Sequence, residues 1–304
     1  MSIKKVLICG LGALGITYAS KLMNICELKI LADNSRIQKY KKNKPILNNK
    51  ILELDYITQY EDWNPDLIII TTKSTALDSV LELIKNFVKE NTIIISLING
   101  ISSEYKIASI YGKEKVVKSF FIGHSAIRID NKVSQDGEGK IVLEKNKKLE
   151  EFFDKNNIKY DSVDDIEYFL WLKLGVNIIL NQPSAIYEMN VGEMKKQKDY
   201  KELSSNLLKE VKEVAKKCGL ENLDNFEEEV FKAIDLVSDS GVTSMYQDIM
   251  AKRKTEVDIF SGEIIRLGNK HNIPTPYNKK IYEIIKKKEE NFYEHSFYTC
   301  SRWQ

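Results

Sequence analysis

Three uninterrupted apolar runs, VLIC at 6–9, LIII at 67–70 and III at 93–95, constrain the first third of this 304-residue chain more than any other feature. A strand that is apolar on both faces has to be covered on both faces. That is the condition of a parallel sheet inside an α/β layer, not of an antiparallel sheet with one wet side. Strands are expected at 4–9, 28–32, 66–72 and 92–97, with helical patterns at 13–24 and 76–89 between them. The alternation predicts βαβ units and hence an α/β, doubly wound sheet. Segments between 118 and 143, SFFIGHSAIRID and GEGKIVLE, are β-rich with polar turns and are expected to extend that sheet in a mixed fashion.

Beyond Asp164 the strand pattern stops. Asp164 or Asp165 can cap a helix running through IEYFLWLKLGVNIILN, and Pro183 predicts its end or a kink just past Asn181. In YKELSSNLLKEVKEVAKKCG the residues Leu203, Leu207, Val211 and Val214 share a face, with Gly219 placed as a C-terminal cap. FEEEVFKAIDLV, MYQDIMAKRKTEVDIFSGEIIRLG and KKIYEIIKKKEENF also read as helical. The expected organisation is a dinucleotide-binding domain over 1–164 and an all-helical substrate domain over 165–304, with a cleft between them as the default ligand site.

The bulk numbers exclude several classes. Forty-six basic against forty-four acidic residues leave a net charge of +2 without a separated basic block, so there is no electrostatic motive for nucleic acid or an anionic membrane. No apolar run approaches the length needed to span a bilayer, and MSIKKVLICG lacks the pattern of a signal peptide. Cys9, Cys26, Cys218 and Cys300 are scattered and only three histidines accompany them, which argues against a metal site or a disulfide framework. A cytoplasmic protein is expected. A homo-oligomer stays open, and the tail YEHSFYTCSRWQ is aromatic enough to dock on the body.

The chemistry-bearing motifs begin with GLGALG. Gly10, Leu11, Gly12, Ala13, Leu14 and Gly15 follow the first strand and open the first helix. In that context the first glycine allows the turn, the second admits a pyrophosphate near the backbone, and the third lets helix and strand close up. A turn that only needs positive φ would read the same way. Asp33 ends the second strand where an acidic residue would bond the adenosine ribose of NAD, while Arg36 is placed to hold the 2′-phosphate of NADP. Asp33 could equally cap the next helix. Lys73 in TTKS and Asn99 before Gly100 in SLINGIS sit just past strands, at the ligand-binding edge of such sheets, although Asn-Gly is also turn chemistry. Ser244 begins a capping-box pattern with Gln247, and Glu256 lies beside Lys252, Arg253 and Lys254 as a solvated helix residue would.

The sharpest anomaly is in WLKLGVNIILNQPSA. Lys173, Asn177 and Asn181 recur at a spacing of four in an otherwise apolar helix, and so fall on one slowly drifting stripe. Burying an ammonium or an unpaired amide is costly, so the row has to find partners, reach water or face a ligand.

Taken in order, GLGALG, TTK, ING, KLGVNIILN, SMYQDI and TEVDIFSGEI resemble the ketopantoate reductase family over nearly the whole chain. The resemblance implies a Rossmann-type domain followed by an all-helical C-terminal domain, and reduction of a 2-oxo acid, ketopantoate, with NADPH in pantothenate biosynthesis. It implies Lys173 as general acid. Asn177, Asn181 and Ser244 would hold the substrate and Asn99 would lie near nicotinamide and substrate. Lys73 would lie near the cofactor, and Glu256 at its ribose and the substrate edge, as a catalytic and cofactor-binding residue. Two departures stand out. Val191 occupies the place before Gly192-Glu193 where the family often has Asn, with Asn190 one step earlier, and Asp33 leaves NAD(H) open beside NADP(H).

Overall fold

The computed structural model describes residues 2–123 and 125–300, without the side chains of Ser125, Ile127 and 293–300. Docking of the aromatic tail, 293–304, therefore lies outside the described residues. The chain divides into two compact units, Met1–Ile166 and Glu167–Gln304.

In the first unit β1 (Lys5–Cys9), α1 (Ala13–Leu22), β2 (Glu27–Leu31) and α2 (Asn34–Lys42) lead into three short strands, β3 (Ile46–Leu47), β4 (Lys50–Ile51) and β5 (Tyr56–Ile57). Then come β6 (Leu67–Ile70), α3 (Leu77–Ile84), β7 (Ile93–Ser96), α4 (Ser103–Tyr111) and β8 (Val116–Val117). Six of these strands form one sheet in the order β5-β2-β1-β6-β7-β8, every pair parallel. Val6, Leu7 and Ile8 are buried together with all of β6 and β7, as strands covered on both faces must be. The chain leaves β1 in one direction across the sheet and returns to β6 on its other side. The crevice outside the carboxyl ends of β1 and β6 is thus the topological switch point, where open α/β sheets bind ligands.

The β-rich stretch that follows does not extend this sheet. β9 (Ser119–Ile122), β10 (Ser125–Ile129), β11 (Lys132–Asp136), β12 (Lys140–Glu144), α5 (Lys147–Lys155) and β13 (Tyr160–Val163) build two separate mixed sheets. One runs β10-β11-β3-β4 and the other β13-β12-β9. Their partners are strands of two to four residues that carry little signal of their own, so the pairing is set by tertiary contacts.

After β13 the described residues form helices joined by loops, with no strand among them: α6 (Ile166–Tyr187), α7 (Val191–Lys195), α8 (Tyr200–Lys217), α9 (Phe226–Asp235), α10 (Ser244–Met250), α11 (Ser261–His271) and α12 (Pro276–Cys300). Of the two outcomes expected at Pro183, an end or a kink, the end does not occur: α6 runs on to Tyr187. A proline inside a helix forfeits a hydrogen bond and crowds the preceding turn. Here the flanking Ile178, Ile179, Gln182, Ser184 and Ala185 are all fully buried, so packing holds the helix through it. Gly175 lets α6 approach its neighbours: a Cβ there would lie 3.0 Å from Val230 and 3.3 Å from Leu208 and Phe226. Leu207, Val211 and Val214 are buried on α8, and Gly219 ends it at φ +96° with Leu220 N–H donating to Ala215 O, a Schellman closure. No helix among the described residues is long and apolar enough to cross a membrane.

Candidate functional site

The glycine loop is built by steric necessity at two of its positions and left open at the third. Gly10 adopts φ +105°, and a Cβ on it would lie 2.7 Å from Thr72 Cγ2. A Cβ on Gly15 would lie 1.9 Å from Gly10 O, so helix α1 can seat on β1 only without one. Gly12 is different, with the nearest atom at an ordinary 3.7 Å. The space over Gly12 suits a ligand approaching the backbone. Helix α1 begins there without any side-chain cap, so its first N–H groups point outward, as an anion site at a helix N-terminus requires. Thr72 Oγ1, at the adjoining end of β6, is buried with no hydrogen-bond partner. A pyrophosphate fits this cradle on all three counts.

Two residues that hold the loop were not anticipated from sequence. Thr71 Oγ1 donates to Gly10 O at 2.7 Å, and the Arg128 guanidinium donates to Leu11 O from β10. Both act through chain segments more than sixty residues away from their partners.

At the end of β2, Asp33 caps α2, accepting from Arg36 N–H at 2.8 Å. Arg36 Nε also lies 3.4 Å from Asp33 Oδ2, and both side chains are more than half exposed. The two residues read as competing for the cofactor are therefore paired with each other. Lys73 is exposed just beyond β6, and Asn99 is half-buried in the loop after β7. That loop is fixed from beneath. Ser96 Oγ donates to Ser103 Oγ at 3.0 Å and Ser103 Oγ to the buried Glu104 carboxylate at 2.8 Å. Gly100 turns the chain at φ +93°.

In the helical unit the polar row of α6 is confirmed as a row. Asn177 and Asn181 are 9% and 8% exposed, and Lys173, one turn earlier, is half-buried. Asn181 Nδ2 donates to Asn177 Oδ1 at a long 3.4 Å, while Asn177 Nδ2 is buried with no hydrogen-bond partner. An unsatisfied buried amide is expensive, and it is explained most simply when a ligand supplies its acceptor.

Ser244 is not the cap of α10. Thr243 takes that place, accepting from Tyr246 N–H at 3.2 Å, and leaves Ser244 exposed as the first helical residue. Nor does Glu256 decorate a continuous helix. The expected stretch breaks after α10, and Glu256 opens a 3-10 turn at Val257–Ile259, half-buried, with α11 starting only at Ser261. Of the neighbouring cations, Arg253 pairs with Asp248 at 2.9 Å, and Lys254 lies 3.5 Å from Asp258. Burial raises the Asp258 carboxyl pKa, but the hydrogen bond from Tyr282 and the ammonium groups of Lys286 and Lys254 prevail and lower it overall. Asn190 is consumed as the N-cap of α7 in a capping box with Glu193, which accounts locally for an asparagine at this place. Among the described residues no cluster of His, Cys, Asp and Glu could hold a metal ion.

A parallel sheet with a glycine-rich loop at its switch point, followed in the chain by a helical unit, is the architecture of a dinucleotide-binding protein of Rossmann type. Residues 6–148 match the family model described as ketopantoate reductase PanE/ApbA, and residues 165–289 match the model of its C-terminal part. The chain belongs to the ketopantoate reductase family, whose members are NAD(P)H-dependent oxidoreductases. It is similar to 2-dehydropantoate 2-reductase of Aquifex aeolicus (strain VF5), 29% identical over 304 residues that cover 94% of this chain and 97% of that protein. Among solved structures it resembles D-mandelate dehydrogenase in complex with NADH and anilino(oxo)acetate, at TM-score 0.85 and 25% identity, covering 95% of this chain and 99% of that one. The fold is shared with a PanE/ApbA family ketopantoate reductase from Ralstonia eutropha JMP134, at TM-score 0.83 and 21% identity, with the same coverage of 95% and 99%.

Proposed function

We propose that this chain reduces the 2-oxo group of ketopantoate to the hydroxyl of pantoate. The reading is carried by the α6 row, where Asn177 presents a buried Nδ2 donor without a hydrogen-bond partner, one turn from Asn181 and one turn from Lys173. A 2-oxo acid brings a carboxylate and a carbonyl that can accept from the Asn177 Nδ2 donor and the Lys173 ammonium. In this reading Asn177, Asn181 and Ser244 orient the substrate, and an amide does so without adding net charge. As the carbonyl is reduced, negative charge develops on its oxygen. The Lys173 ammonium stabilises that charge and donates the proton that completes the hydroxyl. A reduced nicotinamide dinucleotide, when bound, supplies the hydride. Gly10, Gly12 and Gly15 with the α1 N-terminus would hold its pyrophosphate. Lys73, Asn99 and Glu256 would line it as the family resemblance implies.

For the cofactor the local electrostatics favour NADH over the NADPH that the resemblance implies. Asp33 sits where the adenosine ribose is bonded in this fold, and Arg36 is already paired with it at 3.4 Å. A 2′-phosphate there would meet the Asp33 carboxylate as well as Arg36. A second substrate reading, another branched or aromatic 2-oxo acid, is favoured by Val191 at a family Asn position and by the likeness to a D-mandelate dehydrogenase. Oxidation of NADH and of NADPH, followed with ketopantoate and a panel of 2-oxo acids, tests all of this. The highest kcat/KM is expected for ketopantoate with NADH. Asp33→Ala should move the preference toward NADPH. A better kcat/KM with NADPH in the unaltered chain would refute the role given to Asp33, and no turnover with any 2-oxo acid would leave a dinucleotide-binding sensor.

A further inference from the structure

Helix α12 carries three polar side chains on one face, Tyr282, Lys286 and Glu289, at steps of four and three. All three reach the segment that bears Glu256. Glu289 is 6% exposed, and its Oε1 accepts both the backbone N–H of Thr255 at 2.7 Å and the Thr255 hydroxyl at 2.6 Å. The Thr255 oxygen in turn accepts Val257 N–H at 3.3 Å. The residues immediately before and after Glu256 are thus tied to one carboxylate. On the far side Tyr282 donates to Asp258 at 2.8 Å, and Lys286 lies 3.5 Å from Asp258 and 3.2 Å from Glu289.

Adhesion alone does not call for this arrangement. A buried ion pair with its hydrogen bonds is often no more stabilising than an apolar contact of the same volume, because its groups are first stripped of water. What a carboxylate adds is direction. Two donors converging on one oxygen fix the orientation of the Thr255 peptide, and through it the backbone at Glu256, which caps the 3-10 turn at φ −100°.

We propose that Glu289 is a positioning residue for Glu256, fixing through Thr255 the backbone from which the Glu256 carboxylate is presented. The proposal rests on the reading of Glu256 as a residue of the site. Small displacements of a reacting constellation cost rate steeply, so Glu289→Ala and Thr255→Val should each lower kcat/KM by on the order of 10- to 100-fold. Glu289→Gln keeps an oxygen for both Thr255 donors and should recover most of the loss, as should Thr255→Ser. Combined with Glu256→Ala, the Glu289→Ala change should cost nothing further in rate, because no carboxylate is left to position.

The experiment is steady-state reduction of ketopantoate by these variants, each checked by thermal unfolding. A folded Glu289→Ala enzyme with unaltered kinetics, or a double variant whose losses multiply, overturns the positioning role while leaving Glu256 in the site. Wild-type kinetics in Glu256→Ala overturns the site reading itself and the proposal with it. Should Glu289→Ala fail to fold, the Thr255 pair decides: loss in Thr255→Val with recovery in Thr255→Ser is expected, and equal activity in the two overturns it.

Discussion

Gly12 and Gly15 are three residues apart and identical in chemistry, yet the structure assigns them opposite tolerances. An alanine at 15 would place its Cβ 1.9 Å from the Gly10 carbonyl oxygen, a backbone atom that can move only if α1 lifts from β1. Overpacking of this kind typically costs about 1–3 kcal/mol and sometimes more. An alanine at 12 meets nothing closer than 3.7 Å and should fold normally, but its methyl fills the space through which a pyrophosphate would approach. Gly15→Ala is therefore expected to lower the melting temperature, and Gly12→Ala to leave it unchanged while weakening NAD(P)H binding. Unaltered dinucleotide affinity in Gly12→Ala, measured by fluorescence titration, would remove the loop from the cofactor site. The tight turn at Gly10 and the close packing at Gly15 were readable in sequence because the glycine pattern follows directly on the first strand and opens the first helix. Thr71 and Arg128 were not, since the atoms they hold are brought to them by the sheet and by β10, and neither residue type is unusual where it stands.

At the scale of elements, the strands of the parallel sheet could be read because burial on both faces leaves an unbroken apolar run. What failed were boundaries decided by partners distant in sequence. Pro183 was read as an end or a kink of α6, and it is not the end, because buried packing on both sides outweighs one lost hydrogen bond. The stretch from 245 to 268 was read as continuous helix because its composition permits one. Helix α10 ends at Met250, Lys252 turns the chain at φ +49°, and the loop that follows is held at Thr255 by Glu289, thirty-four residues on. The small sheets were misassigned for the same reason. They carry their own electrostatic tie: Glu138, in the turn between β11 and β12, lies 2.8 Å from Lys21 of α1 and 2.7 Å from Lys159. Hydrogen bonds from Lys159 and Lys21 lower its pKa from the ordinary 4.5 to about 2. A carboxylate with a depressed folded pKa stabilises above its unfolded value, and that contribution is lost as pH falls through the window from about 4.5 to about 2. Glu138→Gln should thus be less stable than the unaltered chain near neutral pH, by no more than about 1 kcal/mol because the group is exposed to solvent. The two stability curves should converge toward pH 2. Parallel curves over that range would show that the two lysines contribute nothing through this charge.

Over the whole molecule, the dinucleotide cradle belongs to the unit Met1–Ile166 and the α6 row to the unit Glu167–Gln304. The proposed chemistry then separates by substitution: changes on α6 should spare the cofactor and spoil the reaction. Lys173→Ala removes the proposed proton donor, a contribution of typically about 10²- to 10⁴-fold, and kcat should fall by a factor in that range with NAD(P)H affinity retained. Asn177→Ala acts differently. The amide it deletes has a buried donor without a partner, so little native hydrogen bonding is lost and the melting temperature should barely change. If a substrate group normally meets that donor, its loss weakens substrate binding by roughly 1–3 kcal/mol and appears as a raised KM. A row that merely packs against other helices predicts the reverse, with lower melting temperatures and near-normal rates. Cofactor titration, thermal unfolding and steady-state kinetics on the two variants distinguish these outcomes, and a folded Lys173→Ala enzyme with near-normal kcat would end the assignment of Lys173 as the acid.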